Sequence, residues 1–380
     1  MNCKKSKINV LIVPHWRPGG GAGFYIRDLI AVINKKFNLR VGGVYAQFYD
    51  SNPLKSKFVD SVGRLSLPAY SGIGNVACIF HLFRSLVSIM TMFACRIRMH
   101  PNDTPHVFIY TSSVQALAIP VTRWFYPRTK ITIAIQEEVD LSSFFGKLVL
   151  YCIRQSNMLV SISKSWALHA RSFGLNPFVY SNAYPESFVE QDNNQAQIIN
   201  SDLLYVGGDA KIKGFDGFLA VLPNLLTRPN IKILCLGEYS PKARKKIDTI
   251  KKSITSNSEL LMIGHVSDVR PFLRGTRLLL LPVGSPHFCR PAIEAGLFSK
   301  TFVISDFDQM NDFAMSGKNC LSYNNFEPNG LVEAVFKIID NDFLRRKLEF
   351  ENRLVAQSYI RSIDCDVNFI SGFLIANNLS

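Results

Sequence analysis

Three charged residues stand where a phosphorylated ligand could be held. Lys213 lies in YVGGDAKIKGFDGFLAVL (205–222), where an apolar run ends in Gly207-Gly208 and Lys213-Gly214 leads into a helical pattern. A lysine at a strand-to-helix junction is a point charge beside the partial positive end of the helix, a setting that suits a phosphate. A solvated surface lysine is the plainer account. Arg290 and Glu294 lie in LLLLPVGSPHFCRPAIEAGLFSKTFVIS (278–305), a hydrophobic strand followed by an irregular loop and then a helix whose first turn suits Pro291. The spacing predicts Glu294 within that turn. A carboxylate there can accept both hydroxyls of a ribose while helix N–H groups face a phosphate, or it can simply complement the helix dipole.

A second glycine cluster, Gly19-Gly20-Gly21-Ala22-Gly23, follows the first apolar run. Such a loop lets backbone N–H groups approach a phosphate, and a tight turn needs the same glycines. Its spacing is not the dinucleotide pattern, and no acidic residue closes the second strand as NAD binding would require. Two Asp-x-Asp triplets, Asp306-Phe307-Asp308 and Asp364-Cys365-Asp366, have the donor type for Mg²⁺ or Mn²⁺. The pattern is too short to be specific, both read as structural, and no metal site is expected. The eight cysteines include no Cys-x-x-Cys pair and no accompanying His cluster, so zinc and redox-pair chemistry are not expected.

The elements that must carry these residues alternate between strand and helix. Ile8 to Pro14, Val41 to Gln47, His106 to Tyr110, Ile131 to Gln136 and Met158 to Ile162 read as strands, and Phe24 to Lys36 as a helix. Cys78 to Met99 reads as a helix with Phe80, Phe83, Val87, Met90 and Ala94 on one face. That face either packs on a sheet, the commoner case, or forms a basic amphipathic surface touching lipid. Arg84, Arg96 and Arg98 interrupt this stretch, so it is too short to span a membrane. Residues 189–201 are polar and read as a linker. Beyond it strands are predicted at Leu203 to Val206, Lys232 to Leu236, Leu260 to Ile263, Leu278 to Pro282 and Thr301 to Ser305. Helices are predicted at Phe215 to Leu226, Lys242 to Ser256, Val269 to Arg274 and Pro291 to Phe298. This is an α/β chain of two doubly wound domains, 1–190 and 191–360, with a cleft expected between them.

In order along the chain, these blocks resemble the retaining glycosyltransferases of family 4, which have the GT-B fold of two Rossmann-like domains facing a central cleft. The loop with Gly20 and Gly21 resembles the family's N-terminal loop at the donor diphosphate. Residues 156–182 resemble the end of the N-domain, YVGG…KG the phosphate-binding lysine segment, and 259–282 the stretch flanking the nucleobase, with Gly264 to Val266 at the base. HFCRPAIEA resembles the second half of the paired-glutamate motif. The resemblance implies a metal-independent enzyme that needs no cofactor and uses a nucleotide sugar, UDP- or GDP-linked. Gly20, Gly21, Gly207, Gly208, Lys213, Val266, Arg290, Pro291 and Glu294 would bind that donor. It also implies that residues 361–380 form a helix crossing back to the first domain. Three positions depart from the pattern: Pro286 stands at the first glutamate, Gly208 at the arginine that accompanies the lysine, and Gln136 at the N-domain histidine. Arg290 or Lys211 would then supply the missing positive charge, and Gln136 with Glu137 would meet the acceptor, unless Glu137 and Glu138 are merely solvated. The expected catalytic residues are Lys213, Arg290 and Glu137.

Charge adds a partner. Of the net +14 of this 380-residue chain, residues 1–190 hold +12, from 21 Lys+Arg against 9 Asp+Glu. That half is expected to meet something anionic. No nucleic-acid fingerprint is present, so an anionic membrane surface and a lipid-linked oligosaccharide acceptor fit better, as in bacterial O-antigen or capsule synthesis. The N-terminus carries no recognisable secretion signal, and the expected location is cytoplasmic, peripheral at the inner face of the membrane. The alternatives are a GT-B sugar-nucleotide 2-epimerase and a non-catalytic binding protein on the same fold.

Overall fold

The computed structural model describes residues 7–13, 38–46, 59–65, 83, 107–111, 114–135, 144–181, 184, 187–190, 198–252, 256–325, 327–360, 372, 373 and 376. The chain forms two compact units, Met1–Ala183 with Ser362–Ser380, and Tyr184–Arg361. Together they make a GT-B fold, each unit built on one parallel sheet.

The first unit holds β1 (Lys7–Val13), β2 (Asn38–Ala46), β3 (Val59–Leu65), β4 (Val107–Tyr110), α1 (Ile119–Phe125), β5 (Lys130–Ile135), α2 (Phe144–Ile153), β6 (Met158–Ser161), α3 (Lys164–Ser172) and β7 (Phe178–Val179). Its strand order is β3-β2-β1-β4-β5-β6-β7, all parallel. Phe108, Tyr110, Ile131, Ile133 and Leu159 meet Ile119, Val149, Ile153 and Trp166 in one apolar layer. β3 was not expected, because VDSVGRL has no apolar run. Within the expected helix 78–99, Phe83 is the one residue described. It is helical and 58% exposed, so it is not the core-facing side chain that the packed face would need.

The second unit begins at Tyr184, ahead of the expected boundary at 190/191. Tyr184 is fully buried in this unit's core and forms a β-bridge with Ile360, so it belongs to the body and not to a linker. Part of the expected linker is also helical, as α4 (Ser187–Glu190). There follow β8 (Ser201–Val206), α5 (Phe215–Leu226), β9 (Lys232–Leu236), α6 (Pro241–Lys252), β10 (Glu259–Gly264), α7 (Arg270–Gly275), β11 (Thr276–Leu281), α8 (Arg290–Leu297), β12 (Thr301–Ser305), β13 (Leu321–Tyr323), α9 (Pro328–Ile339) and α10 (Asp342–Gln357). The order is β10-β9-β8-β11-β12-β13, again parallel.

A parallel sheet covered on both faces needs strands that are apolar on both sides. The central strands meet this in strict alternation. Leu203, Tyr205, Ile233, Cys235, Leu278, Leu280 and Val303 face a layer with α5, α6 and α9. Leu204, Leu234, Leu236, Leu279, Leu281, Phe302 and Ile304 face α7 and α8. α8 lies close against α10: a Cβ at Gly296 would sit 2.5 Å from the Asn352 carbonyl oxygen and 2.6 Å from the Ala356 Cβ. The buried Asn352 amide ties the two helices to the β12 region, donating to the Lys300 carbonyl at 2.7 Å and accepting from Asn319 at 3.0 Å.

Candidate functional site

In the second sheet β8 lies beside β11. The chain leaves β8 for α5 on one face and leaves β11 for α8 on the other. The two loops therefore diverge at the carboxyl ends of adjacent strands, the place where doubly wound sheets hold ligands. Lys213 stands in the first of these loops, and His287 and Arg290 stand at the end of the second.

Glycines set the shape of the first loop. Gly214 has φ +74°, and a Cβ there would fall 1.3 Å from the Pro282 carbonyl oxygen. Gly208 has φ +59° and would place a Cβ 2.2 Å from the Glu238 carbonyl oxygen. The turn 211–213 is clamped to the loop after β11 by the Gly284 N–H, which donates to the Ile212 carbonyl at 3.1 Å. The expectation for Gly207 and Gly208 needs refining here. Their N–H groups both donate to the Leu236 carbonyl at 3.1 Å, so the pair lets two loops close on each other and does not aim donors at a ligand.

The clamp brings Lys213 to His287. The Lys213 ammonium donates to His287 Nε2 at 2.9 Å, while Nδ1 lies 2.9 Å from the Ser285 carbonyl. A carbonyl only accepts, so the ring proton sits on Nδ1 and the Nε2 lone pair faces the lysine. Burial, and then the adjacent ammonium, push the His287 pKa down to about 3. The His287 ring is therefore neutral at neutral pH.

The second cluster joins α8 to the start of the unit. The Tyr184 hydroxyl donates to Glu294 Oε1 at 2.9 Å, and it lies 3.3 Å from the Arg290 carbonyl oxygen. The Arg290 guanidinium lies over the Tyr184 ring, 4.5 Å from its centre, with Nε 3.6 Å from Glu294 Oε1. Burial and the Glu294 carboxylate raise the Tyr184 pKa well above its usual value, so the hydroxyl remains a donor. Pro291 sits in the first turn of α8, as the spacing predicts, but Glu294 does not. The helix starts at Arg290, with Cys289 at the N-cap position and no side-chain cap, so Glu294 falls one turn further on, at i+4 from Arg290. Its carboxylate meets the Arg290 guanidinium and accepts from the Tyr184 hydroxyl, away from the helix end.

The remaining expected residues scatter. Val266 is half-buried and packs on the apolar layer that holds α7 and α8. Gly264, at φ +92°, accepts the Gly237 N–H at 2.8 Å and has open space where a side chain would go. Lys211 is exposed. Gly20, Gly21, Gln136, Glu137 and the 364–366 triplet lie outside the described residues. Asp306 and Asp308 join no group of metal-ligand type, and no such group of three or more His, Cys, Asp or Glu occurs among the described residues. Cys152, Cys235, Cys289 and Cys320 are buried free thiols. No described helix is long and apolar enough to cross a membrane.

Comparison with known proteins bears on the unit that holds these residues. Residues 200–341 match the family described as "Glycosyl transferases group 1". An uncharacterized glycosyltransferase of Methanocaldococcus jannaschii is 28% identical over 157 residues, which is 40% of this chain and 44% of that protein. The match thus spans less than half of that relative's length. Sucrose-phosphate synthase from Thermosynechococcus elongatus superposes with a TM-score of 0.74 at 14% identity, over 97% of this chain and 99% of that one. Anabaena HepE in complex with UDP and glucose superposes with a TM-score of 0.72 at 12% identity, over 97% and 100%.

Proposed function

We propose that the chain is a retaining, family 4-type glycosyltransferase that takes a UDP- or GDP-sugar as donor and a hydroxyl of a lipid-linked glycan as acceptor, in the making of a bacterial surface polysaccharide. The observation that supports this reading is that the Lys213–His287 pair and the Arg290–Glu294–Tyr184 cluster lie on the segments that follow the adjacent strands β8 and β11, inside the segment that matches the glycosyltransferase family. UDP in HepE makes a nucleotide donor the natural occupant.

In this reading the bond from the anomeric carbon to the diphosphate oxygen breaks and a bond to the acceptor oxygen forms on the same face. The acceptor proton passes to an oxygen of the departing diphosphate, so no protein base is needed. Lys213 and Arg290 stabilise the charge that builds on that diphosphate, and Glu294 holds the ribose hydroxyls. No metal takes part. The two units would share the work: loop 19–21 would complete the donor site on closure, Gln136 and Glu137 would meet the acceptor, and the C-terminal residues would pack back on the first unit. The +12 of the N-terminal half would hold the enzyme at the anionic inner face of the cytoplasmic membrane.

A donor screen tests this. UDP-, GDP- and ADP-sugars are compared by thermal shift and by slow hydrolysis, with Lys213→Ala, Arg290→Ala and Glu294→Ala alongside. One donor should raise Tm and be hydrolysed, and each variant should lower kcat/KM by roughly a hundredfold, the loss typical of one charge-stabilising group. Silence towards every donor, or unchanged kcat/KM in Lys213→Ala, defeats the reading.

A further inference from the structure

α10 is an amphipathic helix whose outward face is the unusual one. Inward, Leu348, Asn352 and Ala356 are buried against the unit. Outward, Phe343, Phe350 and Leu354 are 82%, 61% and 48% exposed. At 100° per residue these three fall within a narrow sector, along about 16 Å of helix. Arg346, Lys347 and Arg353 flank them, and all three are exposed. From 343 to 357 no exposed residue is acidic. Glu349 is turned aside by Arg345 at 2.8 Å, and Asp342, before the stripe, also bonds Arg345 at 3.0 Å. A solvated helix face ordinarily mixes both signs of charge and carries few large apolar groups. This one carries aromatics, and its exposed charges from 343 to 357 are of one sign, with Glu351 half-buried at its edge.

We infer that this face of α10 docks on an anionic lipid surface. Aromatic and aliphatic side chains projecting between cations suit the headgroup boundary, where rings reach the acyl region and Lys and Arg meet lipid phosphates. Charge chooses this occupant over a second copy of the chain. A twofold contact of the face with itself would set three exposed cations against three, with only the half-buried Glu351 at its edge to relieve them, since Asp342 and Glu349 are held by Arg345. The helix is rigidly held, by the Asn341 side-chain cap on the Leu344 N–H and by the Asn352 hydrogen bonds. The face thus needs no rearrangement to bind. The inference deepens the membrane part of the proposed function and moves the contact to the second unit; it does not depend on the donor site.

The test is co-sedimentation of the full chain with vesicles of phosphatidylcholine alone and of phosphatidylcholine with phosphatidylglycerol, at low and high salt. The parent should bind only the anionic vesicles, and less in salt. Arg346→Gln/Lys347→Gln/Arg353→Gln should weaken binding on the order of a hundredfold, at about tenfold or less per charge. Phe343→Ser/Phe350→Ser should weaken it roughly tenfold or more. Both variants alter exposed side chains, and an unchanged Tm certifies their fold. Parent-like binding by either variant overturns the inference while leaving the membrane reading intact, with the contact elsewhere. No binding by the parent overturns both. A parent that dimerises, with Phe343→Ser/Phe350→Ser monomeric and no vesicle binding, assigns the face to a second copy and overturns the inference.

Discussion

At the scale of single residues, Lys213 and His287 form a cation with a built-in proton boundary. The His287 pKa is pushed down to about 3 in the fold, against about 6.5 in an unfolded chain. Between those values the unfolded chain binds the extra proton and the folded one does not, so stability falls as pH is lowered through that window. Tm should therefore drop more steeply from pH 7 to pH 5 in the parent than in His287→Gln, whose amide oxygen can still accept from Lys213. Equal slopes in scanning calorimetry would remove the assignment. Tyr184→Phe leaves the Glu294 carboxylate one donor short in a buried place and should cost about 1–3 kcal/mol in urea unfolding. The loop of Lys213 and the helix start at Arg290 were legible in the sequence because Gly-Gly before Lys-Gly, and proline opening a helix after a buried strand, are local signals; Glu294 was placed one turn too early. His287 and Tyr184 were not. Their meaning lies in partners 74 and 110 positions away, and an isolated histidine or tyrosine carries no spacing to read.

At the scale of elements, the turn 211–214 is the part that a small change should break. Gly214→Ala combines a positive φ with a contact of 1.3 Å to the Pro282 carbonyl, so the β8 and β11 loops must part. A loss of about 3 kcal/mol or more is expected, together with loss of donor-induced thermal shift. Gly264→Ala is the comparison: it shares a positive φ but has nothing within 4 Å, and should cost only about 1 kcal/mol. Urea midpoints of the two variants decide it; equal losses would mean that backbone conformation alone, not the loop contact, is at stake. The buried strands were legible because sheets covered on both faces need unbroken apolar runs, and α5, β9 and β12 fall where that pattern places them. β13 is only three residues long, too short for a pattern. α10 escaped for a more telling reason. Its exposed Phe343, Phe350 and Leu354 put apolar residues on the side opposite the core, which blurs the stripe a periodic reading seeks.

At the scale of the whole molecule, the second unit is one continuous stretch and the first is not. The chain enters the second unit at Tyr184 and leaves it after Arg361, and its ends meet: Tyr184 is bridged to Ile360, and the Tyr184 N–H donates to the Tyr359 carbonyl at 2.9 Å. The first crossing was not visible in composition, because the polar run 189–201 looks more like a linker than the apolar Tyr184 does. Both main apolar layers of this unit are made from its own residues. Residues 184–361 produced alone should therefore unfold in one cooperative transition and retain a thermal shift with nucleoside diphosphate. A chain that aggregates or melts without cooperativity would contradict this. The paired ends have a further meaning for protein engineering. A stretch that starts and stops at one point behaves as a cassette. It can be lifted out and set into a surface loop of another protein, or closed by a short joint and reopened elsewhere as a circular permutant, with the lysine–histidine pair carried along intact.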